Sequence, residues 1–177
     1  MMSVEFLILF CRWNIGFLFL YSSLAKILST ESFQQTVKNL KILPKLLIKP
    51  FSFAIIFVEF LLAIIVISSK SYFRYAFLFS SFLLILFTIM FLFVLSQKKL
   101  ITCNCFGKTQ KLISWFDIIR NLVFICISVL GYILSYHLKV YQSSVISFSY
   151  ETFLCGFISI ILILVATNLE DFAKLLS

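Results

Sequence analysis

Five apolar blocks, each long enough to cross a lipid bilayer, constrain this chain more than any other feature of its sequence. A bilayer core of about 30 Å needs about 20 apolar residues in a helix that rises about 1.5 Å per residue. The blocks are Phe6–Lys26, Phe51–Ser69, Tyr72–Ser96, Trp115–Tyr136 and Val145–Thr167. The sequence therefore predicts an all-α, polytopic membrane helix bundle with five spans and with its termini on opposite faces of the membrane.

The composition excludes a water-soluble domain. Of the 177 residues, 62% are hydrophobic and 12% are charged, whereas a soluble domain is about 45–50% apolar and about 25% charged. The 15 basic residues outnumber the 7 acidic ones, but they lie in short stretches between the apolar blocks. Because a nucleic-acid-binding protein gathers its basic residues on one continuous face, we expect the lipid bilayer as partner and no nucleic acid.

The first of two long connections, residues 27–50, is rich in lysine and amphipathic. Its apolar side carries Phe33, Val37 and Leu40, a pattern typical of a helix that lies in the membrane interface. Pro44 and Pro50 are expected to end this helix before the second span, because proline lacks an N–H donor and disrupts a continuing helix.

The second long connection, residues 97–114, contains Cys103 and Cys105 and ends in Ser114-Trp115-Phe116-Asp117, which matches a capping box at the start of the fourth span. Successive spans alternate in direction, so both long connections lie on one face. Together with the C-terminus that face holds ten Lys and Arg residues against three on the other. The positive-inside rule therefore predicts a cytoplasmic cysteine loop.

Three charged side chains lie within the apolar blocks: Arg12, Lys26 and Glu59. A charge near the bilayer centre costs at least about 2.5–3.5 kcal/mol, so each needs a partner or a function. The helical rise places Arg12 about 10 Å and Glu59 about 12 Å from opposite faces, which predicts an Arg12–Glu59 ion pair. Two interpretations stay open. The pair fixes the helix register, or the three residues line a polar cavity that opens toward the cysteine loop, where a cation would favour a thiolate.

Two stripes of polar and small residues predict inward-facing helix surfaces, because positions three and four apart share one face of a helix. Asp117, the first residue of the second stripe, is also expected to form a local ion pair with Arg120. The first stripe is Arg12, Gly16, Phe19, Ser23 and Lys26, and the second is Asp117, Asn121, Phe124, Ser128, Gly131 and Ser135.

The five cysteines fall into two groups. Cys11, Cys126 and Cys155 lie within spans and are expected to be small buried hydrophobic residues. Cys103 and Cys105 lie in a polar loop, where a disulfide between them would close a small, strained and easily reduced ring suited to disulfide transfer. Alternatively, both thiols are incidental. A metal site is not expected, because the two thiols and His137, on the other face, do not supply four ligands.

Several motifs in order resemble the MauE/DoxX group of redox-associated membrane proteins, and its methylamine utilisation branch, MauE, in particular. The resemblance covers about residues 5–136. It rests on the run Arg12-Trp13-Asn14-Ile15-Gly16-Phe17-Leu18-Phe19, on Lys26, Phe33, Leu43-Pro44 and Glu59, and on Cys103-Asn104-Cys105-Phe106-Gly107.

The resemblance implies a DoxX-like four-helix core over residues 5–136, to which residues 145–167 add a fifth transmembrane helix. It also implies that the chain works beside a thioredoxin-like partner in the maturation of an exported protein, which in the type case is methylamine dehydrogenase. Cys103 and Cys105 would be the catalytic pair, and Arg12, Lys26 and Glu59 the membrane positions of the family.

Two functions from different classes are consistent with these features. The first is a multi-pass redox protein of the bacterial cytoplasmic (inner) membrane, which passes electrons between a thioredoxin-like protein and a membrane acceptor, with a quinone as the candidate cofactor. The second is a non-catalytic assembly factor or a small-solute carrier that uses Arg12 and Glu59. The first requires both thiols, and the carrier tolerates serine in their place.

Overall fold

The computed structural model describes residues 2–39, 44–69, 72–96, 114–137 and 150–168, and every regular element in these ranges is an α-helix. This confirms the all-α, polytopic bundle. The six helices are α1 (Met2–Leu28), α2 (Thr30–Asn39), α3 (Lys45–Ser68), α4 (Phe73–Ser96), α5 (Trp115–His137) and α6 (Tyr150–Thr167).

Four of these helices are long and apolar enough to cross a membrane, namely α1, α3, α4 and α5. They correspond to the first four predicted spans. The 18 residues of α6 extend over about 27 Å, slightly less than a bilayer core of about 30 Å. Residues 145–149 of the fifth predicted span lie outside the described residues, so a fifth crossing stays a prediction.

Helix α1 lies at the centre of the bundle and packs against α3, α5 and α6, while α4 packs against α5 and α3. Both predicted inward stripes are confirmed. All five residues of the α1 stripe are buried, and so are all those of the α5 stripe except Asp117, which is half-buried. The apolar core between the helices includes Ile8, Ile15, Phe19, Val66, Phe77 and Phe124.

Helix α2 occupies residues 30–39 of the connection predicted to be amphipathic, and it has one buried side. Phe33 and Val37 are buried against Ile48 and Ile56 of α3, and Lys38 on the opposite side is exposed. Leu40 lies outside the described residues. The structure thus shows one apolar face of α2 buried against α3, and a position of this helix in the membrane interface stays a prediction.

The two prolines act differently from the prediction. Pro44 is the N-cap residue of α3, but Pro50 lies inside that helix, so the expectation that Pro50 ends the preceding helix is wrong. Proline within a helix leaves the carbonyl four residues earlier, here that of Leu46, without its N–H donor. Leu46 is 88% exposed, so water or a lipid headgroup can satisfy its carbonyl at this helix end.

The capping box at the start of α5 forms in one of its two halves. The backbone N–H of Ser114 donates to the Asp117 carboxylate at 3.0 Å, as the motif predicts. The Ser114 hydroxyl has no hydrogen-bond partner among the described residues, so the reciprocal half is missing. The Asp117 carboxylate still stabilises α5, because a negative charge at the start of a helix is attracted by the positive end of the helix dipole.

Close packing of α1 on α3 predicts a specific sensitivity at Gly16. A Cβ atom there would collide with the side chain of Ile67, so we expect Gly16→Ala to lower the free energy of unfolding by about 1–3 kcal/mol. Adding Ile67→Ala should recover part of this loss. Thermal unfolding of the purified chain in detergent measures both effects.

Gly156→Ala is the matched control for this prediction. A Cβ at Gly156 would lie 3.9 Å from Phe17 and Trp13, an ordinary van der Waals distance. Its expected effect is neutral or slightly stabilising, since alanine favours a helix more than glycine does. Equal losses for both glycine variants would contradict a steric origin.

Candidate functional site

A buried ion pair joins α1 to α3. The ammonium of Lys26 contacts the carboxylate of Glu59, and the two side chains are 1% and 0% exposed. Ser22 bridges them: its hydroxyl accepts a hydrogen bond from Lys26 at 2.8 Å and donates one to Glu59 at 3.2 Å. Ser22 and Lys26 are four residues apart, so they share one face of α1. The Lys26 ammonium therefore satisfies two of its three donors within this cluster.

Aromatic rings enclose the ammonium on two further sides. The Lys26 nitrogen lies 5.4 Å from the ring centroid of Phe33 in α2 and 5.0 Å from that of Phe87 in α4. At these distances the ring faces attract a cation. Four helical segments thus converge on one ammonium, and α2 contributes through its buried apolar face.

A pocket opens beside this ion pair and is lined by residues of four helices. Water-sized molecules can occupy about 20 Å³ of it, which is room for about one water. Its polar lining consists of the ion pair, Ser22, Arg120 and Asn121. Its apolar lining consists of Leu18, Phe19, Leu84, Phe87 and Phe91.

Arg12 does not pair with Glu59, so the predicted ion pair is wrong. Its guanidinium instead donates to carbonyls at the C-terminal end of α3: to Val66 at 2.9 Å, Ile67 at 2.7 Å and Ser69 at 3.0 Å. These carbonyls lack donors within the helix and carry the negative end of its dipole, so they attract a buried cation. Arg12 thereby joins α1 to α3 at the end of α3 remote from Lys26.

The structure brings together only part of the predicted site. Lys26 and Glu59 line one largely apolar pocket, whereas Arg12 is engaged elsewhere. Cys103 and Cys105 lie outside the described residues. The ion pair between Asp117 and Arg120 is confirmed, with 3.0 Å between its closest atoms.

Ser22 and Phe87 are contacts that the sequence analysis missed. The spacing of four residues between Ser22 and Lys26 was a usable signal for the first. Nothing in the uniformly apolar α4 distinguished Phe87 from its neighbours. Among the membrane cysteines, Cys11 and Cys155 are buried as expected, but Cys126 is exposed on the outside of α5, so that expectation is wrong.

The described part of the chain offers no three His, Cys, Asp or Glu side chains placed to hold one metal ion. The residues that line the pocket offer hydrogen bonds, paired charges and aromatic faces. A small, neutral, hydrogen-bonding group is the ligand that such a lining could accept.

In a comparison with protein families, residues 4–134 match the family described as Methylamine utilisation protein MauE. The match covers more than half of the chain and includes α1 to α4 and nearly all of α5. The DoxX part of the resemblance stays a prediction. No characterised protein and no solved structure matches the chain.

The buried ion pair predicts strong coupling between Lys26 and Glu59. Removing one partner leaves the other charge buried and uncompensated, so Lys26→Met or Glu59→Gln alone should destabilise by about 3–5 kcal/mol. The double variant should lose much less than the sum of the two. A double-mutant cycle of thermal or denaturant unfolding in detergent measures this coupling.

Two controls separate this pair from other charges. Lys38→Met, on the exposed side of α2, should change stability by less than about 0.5 kcal/mol. Arg12→Gln combined with Glu59→Gln should be additive, because these residues do not touch. Additive losses for Lys26 and Glu59 themselves would show that the pair is not coupled.

Proposed function

The chain belongs to the MauE family of methylamine utilisation proteins, and from that premise we propose that it is a membrane redox protein that exchanges electrons with a thioredoxin-like partner through Cys103 and Cys105. It is a multi-pass membrane protein by its four long apolar helices and its family. The electron exchange, the partner and the bacterial inner membrane are parts of the proposal.

The observation that carries the proposal is the position of the pocket beside Lys26 and Glu59. Phe91 of α4 lines it, and so do Arg120 and Asn121 of α5. The segment that bears the cysteines, residues 97–113, connects the same two helices. By the helical rise, Phe91 lies about 8 Å from the end of α4, and Asn121 lies about 11 Å from Ser114. The segment that bears the thiols therefore starts and ends within about 8 to 11 Å of the pocket residues along the axes of α4 and α5, and this supports the proposal.

The proposed exchange balances as two successive thiol–disulfide steps. A thiolate of the reduced partner attacks the Cys103–Cys105 disulfide, forms a mixed disulfide and releases the other thiolate of the pair. The second partner thiolate then attacks the mixed disulfide. The partner leaves oxidised, and Cys103 and Cys105 are left as two thiols that hold the two electrons and, after protonation, two protons.

The client would be an exported protein, and its class follows from the family name, which links this chain to methylamine metabolism. For such a client the thiols should face the compartment in which it folds. The charge count in the sequence analysis predicts instead that the cysteine loop is cytoplasmic. Four of the ten lysines in that count are Lys38, Lys41, Lys45 and Lys49. They belong to the stretch that contains the amphipathic α2 and the start of α3, and lysines in an interface can reach water on either side of a membrane.

A second candidate is a non-catalytic assembly factor, because Arg12 and the Lys26–Glu59 pair both act as cross-links between α1 and α3. The small-solute carrier was expected to use Arg12 and Glu59. Arg12 instead donates hydrogen bonds to carbonyls at the end of α3, which argues against the carrier. In the assembly version the thiols are dispensable, and this separates it from the redox function.

Cysteine variants distinguish these functions. With Cys103→Ser or Cys105→Ser alone, the remaining thiolate cannot be resolved within the chain, so we expect a thioredoxin-like protein to accumulate as a mixed disulfide. Non-reducing electrophoresis and mass spectrometry of the isolated chain detect and identify it. Labelling of the two thiols with a membrane-impermeant maleimide in intact cells reports which face they occupy.

Cys126→Ser is the matched control, because Cys126 is an exposed cysteine of α5 outside the proposed pair. It should leave both trapping and client maturation unchanged. If neither single variant of the pair traps a partner, and the double serine variant matures the client normally, the redox function is wrong and the assembly factor takes its place.

A further inference from the structure

We propose that the pocket beside Lys26 and Glu59 binds one water molecule, which bridges the Lys26 ammonium to the Asn121 amide and so joins the ion pair of α1 and α3 to α5. The bridge goes beyond the proposed function and does not depend on the cysteines. It rests on the size of the pocket, on the polar groups that line it and on the balance of its charges.

The volume of the pocket suits a single water. Water-sized molecules can occupy about 20 Å³ of it, and a cavity needs at least about 10–15 Å³ of such space to hold one water. Phe19 and Phe91, which line the pocket, are each 2% exposed. A larger ligand would therefore have to push apart side chains that are already packed.

The lining offers polar partners on both sides of this space. An apolar cavity stays dry, because a buried water needs two to four hydrogen-bonding partners. Most of the pocket surface is apolar, yet five of its ten lining residues are polar or charged. Helices α1 and α3 contribute Ser22, Lys26 and Glu59, and α5 contributes Arg120 and Asn121. Two to four partners are thus within the reach of one water.

Lys26 supplies the main donor. Among the described residues its ammonium forms hydrogen bonds with Ser22 and Glu59, which use two of its three N–H groups. Its further neighbours are the rings of Phe33 and Phe87, which attract the charge but offer no oxygen acceptor. A buried donor without a hydrogen bond is costly. A water oxygen in the pocket accepts this third N–H.

Asn121 supplies the partner on α5. Its side chain is buried and lines the pocket, and an amide both donates and accepts hydrogen bonds. It can therefore pair with a water that Lys26 already holds. The neighbouring Arg120 is held by Asp117, so the bridge would connect the buried ion pair to the helix turn that carries the second ion pair.

The charges of the pocket exclude an ion of similar size. Lys26 is paired with Glu59, and Arg120 is paired with Asp117. A chloride ion beside Glu59, or a small cation beside the two basic side chains, would be buried without a counter-charge of its own, at high cost. A neutral water adds hydrogen bonds and leaves this balance unchanged.

Hydroxyl-radical footprinting by X-ray radiolysis of the full chain in lipid nanodiscs tests the site, because radicals formed from a bound water oxidise the side chains that touch it. We expect Phe91 to be oxidised several-fold faster than Phe77 and Phe124. These two controls are also buried phenylalanines, but they do not line the pocket. Oxidation of Phe91 as slow as that of both controls would overturn the proposal.

Asn121→Gln tests whether the water lies where we place it. The variant keeps the amide and adds one methylene, so its side chain should fill the volume of the water and expel it. Oxidation of Phe91 should then fall to the rate of Phe77, and thermal unfolding verifies that the variant folds. Asn39→Gln makes the same change at an exposed position of α2 and should have no effect. Undiminished oxidation of Phe91 in Asn121→Gln would overturn the proposal.

Two further measurements separate a bridging water from other occupants. Replacing chloride by gluconate should leave the oxidation of Phe91 unchanged, and a rate that follows the chloride concentration would favour an anion site instead. Asn121→Leu should lower the midpoint of thermal unfolding less in the Lys26→Met background than in the unaltered chain, because the water has already lost its main partner there. Equal shifts in the two backgrounds would overturn the bridge.

Discussion

The contact between Lys26 and Glu59 is the interaction on which the rest of this bundle depends. Two charges out of water are tolerated only while they stay in direct contact and keep their other hydrogen bonds. That requirement restricts the rotation and register of α1 against α3, and the same two helices pack closely where Gly16 leaves room for the side chain of Ile67. It also gives α2 a structural role, since Phe33 covers the ammonium from the surface side.

Arg12 solves the same physical problem in a different way. It has carbonyls at the end of α3 as acceptors, which every helix leaves unpaired at its C-terminus. These three backbone acceptors engage the guanidinium of Arg12 at the end of α3. The Lys26 ammonium instead turns one side to two aromatic rings and adjoins a pocket, so of the two cations it is the one placed for function.

The sequence predicted the elements of the fold well and the partners of the charges poorly. The positions of the first four spans follow from block length and the inward stripes from helical periodicity; the long apolar helices and the buried stripes match both. The Arg12–Glu59 pairing used depth along the helix axes alone, which is silent about rotation and about backbone acceptors such as Val66. Cys126 shows the related limit: in a helix that is apolar on all sides, composition does not separate the lipid-facing surface from the core.

The polarity of α1 explains why this helix occupies the centre. It has the lowest hydropathy of the four long helices and the largest buried share, because lipid cannot solvate Arg12, Asn14 or Lys26. Between helices in lipid, hydrogen bonds and small residues provide the association that water would otherwise drive. Helix α6, which lies beyond the residues matched to the family, follows the same rule: Ser159 bonds to Asn14 at 2.9 Å. Its docking covers Asn14 on one side of α1, while on another side Lys26 lines the pocket that α1 shares with α3, α4 and α5.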